Sequence, residues 1–184
     1  MTERTKMFIL GITIAVIGLV IFLNLKGKED INKPNETPPL QIPQNLLQTD
    51  MKERQLKAAL EQSPENRDIL FRLGSLYFES NRYNEAIEIY KRILKIKSDD
   101  VETLTDLGLA LHYTHNSQEG IKYLKKATSL SPDHQRAWLS LGFVSGASGN
   151  KDLAERALKK AISIGADTPM GKEASRILNL LKNQ

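Results

Sequence analysis

The sequence predicts an all-α protein built from stacked pairs of helices, and three observations carry that reading. Gly74, Gly108 and Gly142 stand 34 residues apart, each preceded by a leucine (Leu73, Leu107, Leu141). Within each unit, residues 4, 7, 8 and 11 (Leu70, Leu73, Gly74 and Tyr77 in the first) keep the i, i+3, i+4, i+7 spacing of one helical face. Residues 20, 24 and 27 (Ala86, Tyr90, Ile93; Gly120, Leu124, Ala127; Ala154, Leu158, Ala161) mark a second helical face. A fixed period of this length is the signature of a repeat array. A glycine inside a helix costs about 1 kcal/mol relative to alanine. Three at one register therefore imply close approach of the partner helix, with a small residue such as Ala86 or Ala154 opposite.

Residues 1–6 form a short tail before the first apolar stretch. Residues 7–25 carry no charge and only Thr13 and Asn24 as polar breaks. About 19 residues at about 1.5 Å each span about 28 Å, the thickness of a bilayer's hydrocarbon core. No A-x-A-like cleavage site follows, and the chain has no cysteine for lipid attachment, so the expectation is an uncleaved transmembrane helix. Basic residues flank it almost evenly, with Arg4 and Lys6 before and Lys26, Lys28 and Lys33 after. A very short tail before such a helix stays in the cytoplasm, which places the array outside it. The expected location is a bacterial inner membrane.

Residues 26–48 contain Pro34, Pro38, Pro39 and Pro43. Proline removes a helix donor and fixes φ, so a semi-rigid, polyproline-like linker is expected here. Thr49–Gln62 then has Leu56, Ala59 and Leu60 on one face, and Leu56, Ala59 and Pro64 stand at repeat positions 24, 27 and 32. Residues 49–66 thus read as a capping half-unit, the second helix of a repeat without its first. Complete units occupy 67–100, 101–134 and 135–168. Pro169 opens a last helix to Lys182, carrying Ala174, Ile177, Leu178 and Leu181, so 169–184 is the C-terminal cap. End helices of such arrays must shield the terminal units.

These residues resemble the tetratricopeptide repeat, the 34-residue helix–turn–helix with the pattern W-x2-L-G-x2-Y, A-x3-F, P. The first unit has Leu73-Gly74-x2-Tyr77 and Ala86-x3-Tyr90, the second Leu107-Gly108 and Pro132, the third Trp138-x2-Leu141-Gly142 and Ala154. Gly120, Ser145, Ser98 and Ala166 depart from the pattern, and the first two are expected to weaken the second and third units. The resemblance implies a right-handed α-solenoid of three units with capping helices. It also implies that positions 2, 5, 9, 12 and 13 of each first helix line a concave groove. Among these, Phe71, Ser75, Phe78, Thr105, Leu109, His112, Tyr113, Leu139 and Phe143 are the candidate partner-binding residues, and the apolar ones are not needed by the core. Some family members clamp a C-terminal carboxylate with Lys or Arg and Asn at set positions. Those positions hold Phe71, Ser75 and Asp106 here, so an apolar segment of a protein or peptide, helical in one form, is the expected partner.

Little else points to chemistry. With no cysteine, thiolate nucleophiles and Cys-based metal sites are excluded. His112 and His115 stand one turn apart, but no third ligand is near in sequence. No phosphate loop, G-x-S-x-G elbow or H-E-x-x-H motif appears, so neither enzyme nor cofactor is expected. The net charge is only +4, and the Lys125-Lys126 and Lys159-Lys160 pairs read as solvated faces of second helices, which argues against nucleic acid. The expected role is a membrane-anchored adaptor or assembly factor of translocation or cytochrome-assembly type. The alternative is a structural subunit of a membrane complex, or a self-associating scaffold.

Overall fold

The first helix of each unit starts at a side chain that satisfies otherwise orphaned backbone donors, and those starts recur at the repeat period. The computed structural model describes residues 44–183, which hold eight helices: α1 (Gln44–Gln62), α2 (Arg67–Glu79), α3 (Tyr83–Ile96), α4 (Val101–Tyr113), α5 (Ser117–Leu130), α6 (Gln135–Ala147), α7 (Lys151–Ile164) and α8 (Pro169–Lys182). The tail, the apolar stretch 7–25 expected to span a membrane, and the expected linker up to residue 43 lie outside the described residues. Among the described residues no helix is long and apolar enough to cross a membrane. One boundary differs from expectation. α1 begins at Gln44, so 44–48, assigned above to the linker, are helical. Pro43 is the last proline of that stretch, and nothing after it opposes a helix.

The first helices of the units begin at Asn66, Asp100, His134 and Thr168, 34 residues apart. Asn66 accepts from the Asp68 and Ile69 amides at 3.1 Å. Asp100 accepts from Thr103 at 3.0 Å, His134 Nδ1 from Ala137 at 3.2 Å and Thr168 from Gly171 at 3.0 Å. Each cap satisfies amides that have no intrahelical partner. The turns into the second helices recur as well, through Asn81 (φ 59°), His115 (φ 63°) and Gly149 (φ 79°), all left-handed. The residue after each donates back across the turn, Arg82 to Tyr77, Asn116 to Leu111 and Asn150 to Ser145, at 2.8–2.9 Å.

Packing within a unit follows the glycines, though not as the sequence suggests. A Cβ on Gly74, Gly108 or Gly142 would stand 2.5–2.6 Å from Tyr90, Leu124 or Leu158. The large residue at position 24 fills the space in all three units, joined in the second by the carbonyl oxygen of Gly120 at position 20. Gly120 is the second half of a double close approach, since a Cβ there would lie 2.5 Å from the Gly108 carbonyl oxygen. The departure expected to weaken the second unit instead lets α4 and α5 touch backbone to backbone. Around these contacts Leu70, Leu73, Tyr90, Ile93, Leu104, Leu107, Leu124, Leu141 and Leu158 are almost wholly buried. Trp138 is only half-buried, and its Nε1 donates to the Pro132 carbonyl at 2.9 Å.

Successive units are stapled at their caps. Arg67 donates to both Asp100 carboxylate oxygens at 2.9 and 2.8 Å, and Thr168 donates to Gln135 Oε1 at 2.9 Å. A second set of staples joins the outer edge: Arg92 donates to the Pro64 carbonyl at 2.9 Å and Lys126 to that of Ser98 at 2.7 Å. Lys126 is thus a structural tie and not only a solvated charge. α6 packs on α4 and α8 on α6, while no comparable packing joins α3, α5 and α7. First helices form the inner layer and second helices a more open outer layer.

α1 closes the first unit by burying Leu56 and Leu60. Glu53 locks it: its carboxylate accepts from Tyr77 Oη at 3.0 Å, Arg82 at 2.5 Å and Lys57 at 2.6 Å. Burial alone would raise this carboxyl, but those three hydrogen bonds outweigh it and hold it at about 2. At the far end α8 buries Ala174 and Leu178.

Candidate partner-binding groove

The inner layer presents one side of each first helix, and its chemistry changes along the array. α4 contributes Leu109 and Tyr113, α6 contributes Leu139 and Phe143, and α8 contributes Met170 and Ile177 to one cleft of about 310 Å³. A second cleft of about 410 Å³ shares Phe143 and Ile177 and continues to Leu180 and Leu181. Leu109, Tyr113, Leu139 and Phe143 are therefore brought together as expected from the sequence. Met170, Glu173, Ile177 and Leu180 were missed there. They occupy positions 2, 5, 9 and 12 of a fourth, unfinished unit, so extending the groove rule past residue 168 would have found them.

A chain of rings joins this cleft to the first unit. Phe143 meets His112 edge-on with centroids 5.3 Å apart, and His112 lies 5.5 Å from Tyr113. Tyr113 stacks on Tyr83 at 4.7 Å and 16°, and Phe78 packs edge-on against both tyrosines. Tyr113 is 44% exposed, so the stack opens to solvent. Tyr83 also went unforeseen, because it opens a second helix and lies outside the groove positions. Its hydroxyl donates to Asn81 Oδ1 at 2.6 Å, which holds the ring over the turn.

The remaining candidates separate from this surface. Thr105 is a correction: it is fully buried, and its hydroxyl donates to the Val101 carbonyl at 2.8 Å, so it is core and not groove. Phe71 is half-buried between Tyr90 and the Arg67 guanidinium, which sits 4.5 Å over its ring. Ser75 is half-buried and outside both clefts. His112 Nδ1 shares a hydrogen bond with Ser117 Oγ at 2.9 Å, while His115 is committed to its left-handed turn. Burial, with the nearby His115, lowers the His112 pKa, which favours the uncharged ring. Among the described residues no group of three or more His, Asp or Glu could hold a metal ion.

Charges at the rim are already matched. Arg136 pairs with Asp106 and, at 3.6 Å, with Glu102. Burial raises the Asp106 carboxyl, and the Arg136 charge works against that rise. Glu173 holds Arg176 with bonds of 2.8 and 2.6 Å. The groove therefore offers apolar area and aromatic faces, with little free charge for an acidic tail.

Models of the tetratricopeptide repeat match residues 53–106 and 105–169. The chain belongs to the tetratricopeptide repeat family. Its fold is shared with solved structures titled "Crystal structure of MamA" and "Crystal structure of MamA protein", each 25% identical over 76% of this chain. The match covers 90% of the first and 80% of the second, with TM-scores of 0.63 and 0.62. A third, "MamA MSR-1 C2", is 20% identical over 64% of this chain and 67% of its own, with a TM-score of 0.57. A search of curated proteins finds no match. Tetratricopeptide repeats are protein-interaction scaffolds, and that is the coarse role of this chain.

Proposed function

We propose that this tetratricopeptide repeat protein is a membrane-tethered adaptor that holds an apolar segment of a partner protein in the cleft between α4, α6 and α8. The observation that carries the reading is the gathering of Leu109, Tyr113, Leu139, Phe143, Met170 and Ile177 around one open cleft whose rim charges are internally paired. An open apolar surface framed by neutralised polar groups favours an apolar anchor over a charged one. In this reading residues 7–25 span a bacterial inner membrane, the array lies outside the cytoplasm, and the partner is a client of translocation or cytochrome assembly.

The test replaces Leu109 and Phe143 together by Asp in the full chain. Partner capture is expected to be lost while helicity and Tm stay close to the parent, because both side chains are half-buried and not in the deep core. Capture that survives the double replacement would overturn the reading. Paired reporters fused after Gln184, one active only outside the cytoplasm and one only inside, test the orientation.

A further inference from the structure

The outer layer holds a second cleft, independent of the groove. Because α5 and α7 do not pack on each other, the start of α6 lies open between them and forms the floor of a cavity of about 490 Å³. Its apolar floor is Trp138, Leu153 and Ala157, and its walls carry the cations Lys125, Arg156 and Lys160. No carboxylate lines it, and none of the three cations has an ion pair or side-chain hydrogen bond among the described residues.

The repeat itself explains why this cleft differs from its counterparts. Arg92 and Lys126 stand at position 26 of units one and two and donate to the carbonyl at position 32 of the unit before, Pro64 and Ser98. Lys160 stands at the same position in unit three, and its equivalent acceptor is the Pro132 carbonyl. That carbonyl is taken by Trp138 Nε1, at 2.9 Å. Position 4 is leucine in the other two units, so only here does an indole donate to this carbonyl, and here the cation makes no such tie and stands over an apolar floor.

We propose that this outer cleft is a second docking site, and that it takes an acidic protein segment with one apolar side chain inserted between its carboxylates. Three unpaired cations around the opening provide the charge complementarity. The floor is recessed between the helices, which suits an inserted side chain better than a flat lipid surface, and an inorganic anion would leave it unused.

Trp138 is the sole tryptophan of the chain and reports directly on its own cleft. The full chain in phosphatidylcholine nanodiscs is titrated with the probe peptide acetyl-EELDE-amide, following indole emission. A saturable change is expected, about tenfold weaker when the central leucine of the probe is serine and about tenfold weaker in Lys125→Glu or Lys160→Glu, since each removes one term of a charge-complementary contact. Both lysines are exposed and unpaired, so these variants should keep the parent helicity. Trp138→Leu, followed by calorimetry, should also weaken the probe, because it returns the Pro132 carbonyl to Lys160. No saturable response, or a response indifferent to Lys160→Glu, would overturn the proposal. So would a response seen only with inorganic phosphate, or only when phosphatidylglycerol is added to the nanodisc. Leu109→Asp with Phe143→Asp should leave this titration unchanged, which separates its failure from failure of the inner groove.

Discussion

At Gly120 two physical rules disagree about a single methyl group. Helix propensity favours Gly→Ala by about 1 kcal/mol, but the added Cβ would stand 2.5 Å from the Gly108 carbonyl oxygen, a backbone atom that cannot rotate away. Separating α4 from α5 should win, costing about 1–3 kcal/mol as overpacking does. Thermal unfolding of Gly120→Ala is therefore expected to show a lower Tm, and a higher one would mean the helices have room. His115 is the opposite case. It stands at φ 63°, where a non-glycine residue is strained, and Gly149 fills the matching place in the next unit. His115→Gly should raise stability by about 0.5–1 kcal/mol, seen as a Tm rise of about 1–4 °C. Loss of stability instead would point to a role for the imidazole beyond the turn. Ser145 keeps the register with its hydroxyl fully buried and without a hydrogen-bond partner among the described residues.

The helices themselves were largely legible, for reasons that differ by element. The apolar faces of α2 to α7 recur at a fixed spacing, and Pro169 marks the start of α8, so all were readable from period and punctuation. The start of α1 was not, because the prolines before it suggested a longer linker than they impose. The caps at 66, 100, 134 and 168 were overlooked because His134 is a rare cap and hides the spacing of its neighbours. The groove was half legible: the α4 and α6 residues follow the repeat rule, but Thr105 sits at a groove position and turns inward, where its hydroxyl finds Val101. The docking of α1 carries a pH signature. The Glu53 carboxyl is held at about 2 in the fold against an ordinary 4.5. Its stabilisation is thus complete above pH about 4.5 and lost as pH falls through about 2. Between those values the Tm of the parent should fall more steeply than that of Glu53→Gln, and equal slopes would show that α1 is held by Leu56 and Leu60 alone.

Across the whole array the two layers do different work. The inner layer is continuous and gathers apolar side chains toward its C-terminal half, while the outer layer opens between second helices and exposes cations. α8 places Lys172, Ser175, Arg176 and Asn179 at positions 4, 7, 8 and 11, where complete units carry the residues that bury a second helix. Its other side completes the groove with Met170 and Ile177. The claim on which this account rests is that the inner cleft receives another protein. The most direct measurement places a photo-crosslinking residue at Met170 of the full chain in its native cells, with Glu88 on the outer layer as control. A discrete adduct with a different protein is expected from position 170, absent from position 88 and lost when Phe143→Asp is added. No adduct at 170, or only a double-mass adduct of the chain with itself, would contradict the account, and the latter would make the array a self-associating scaffold.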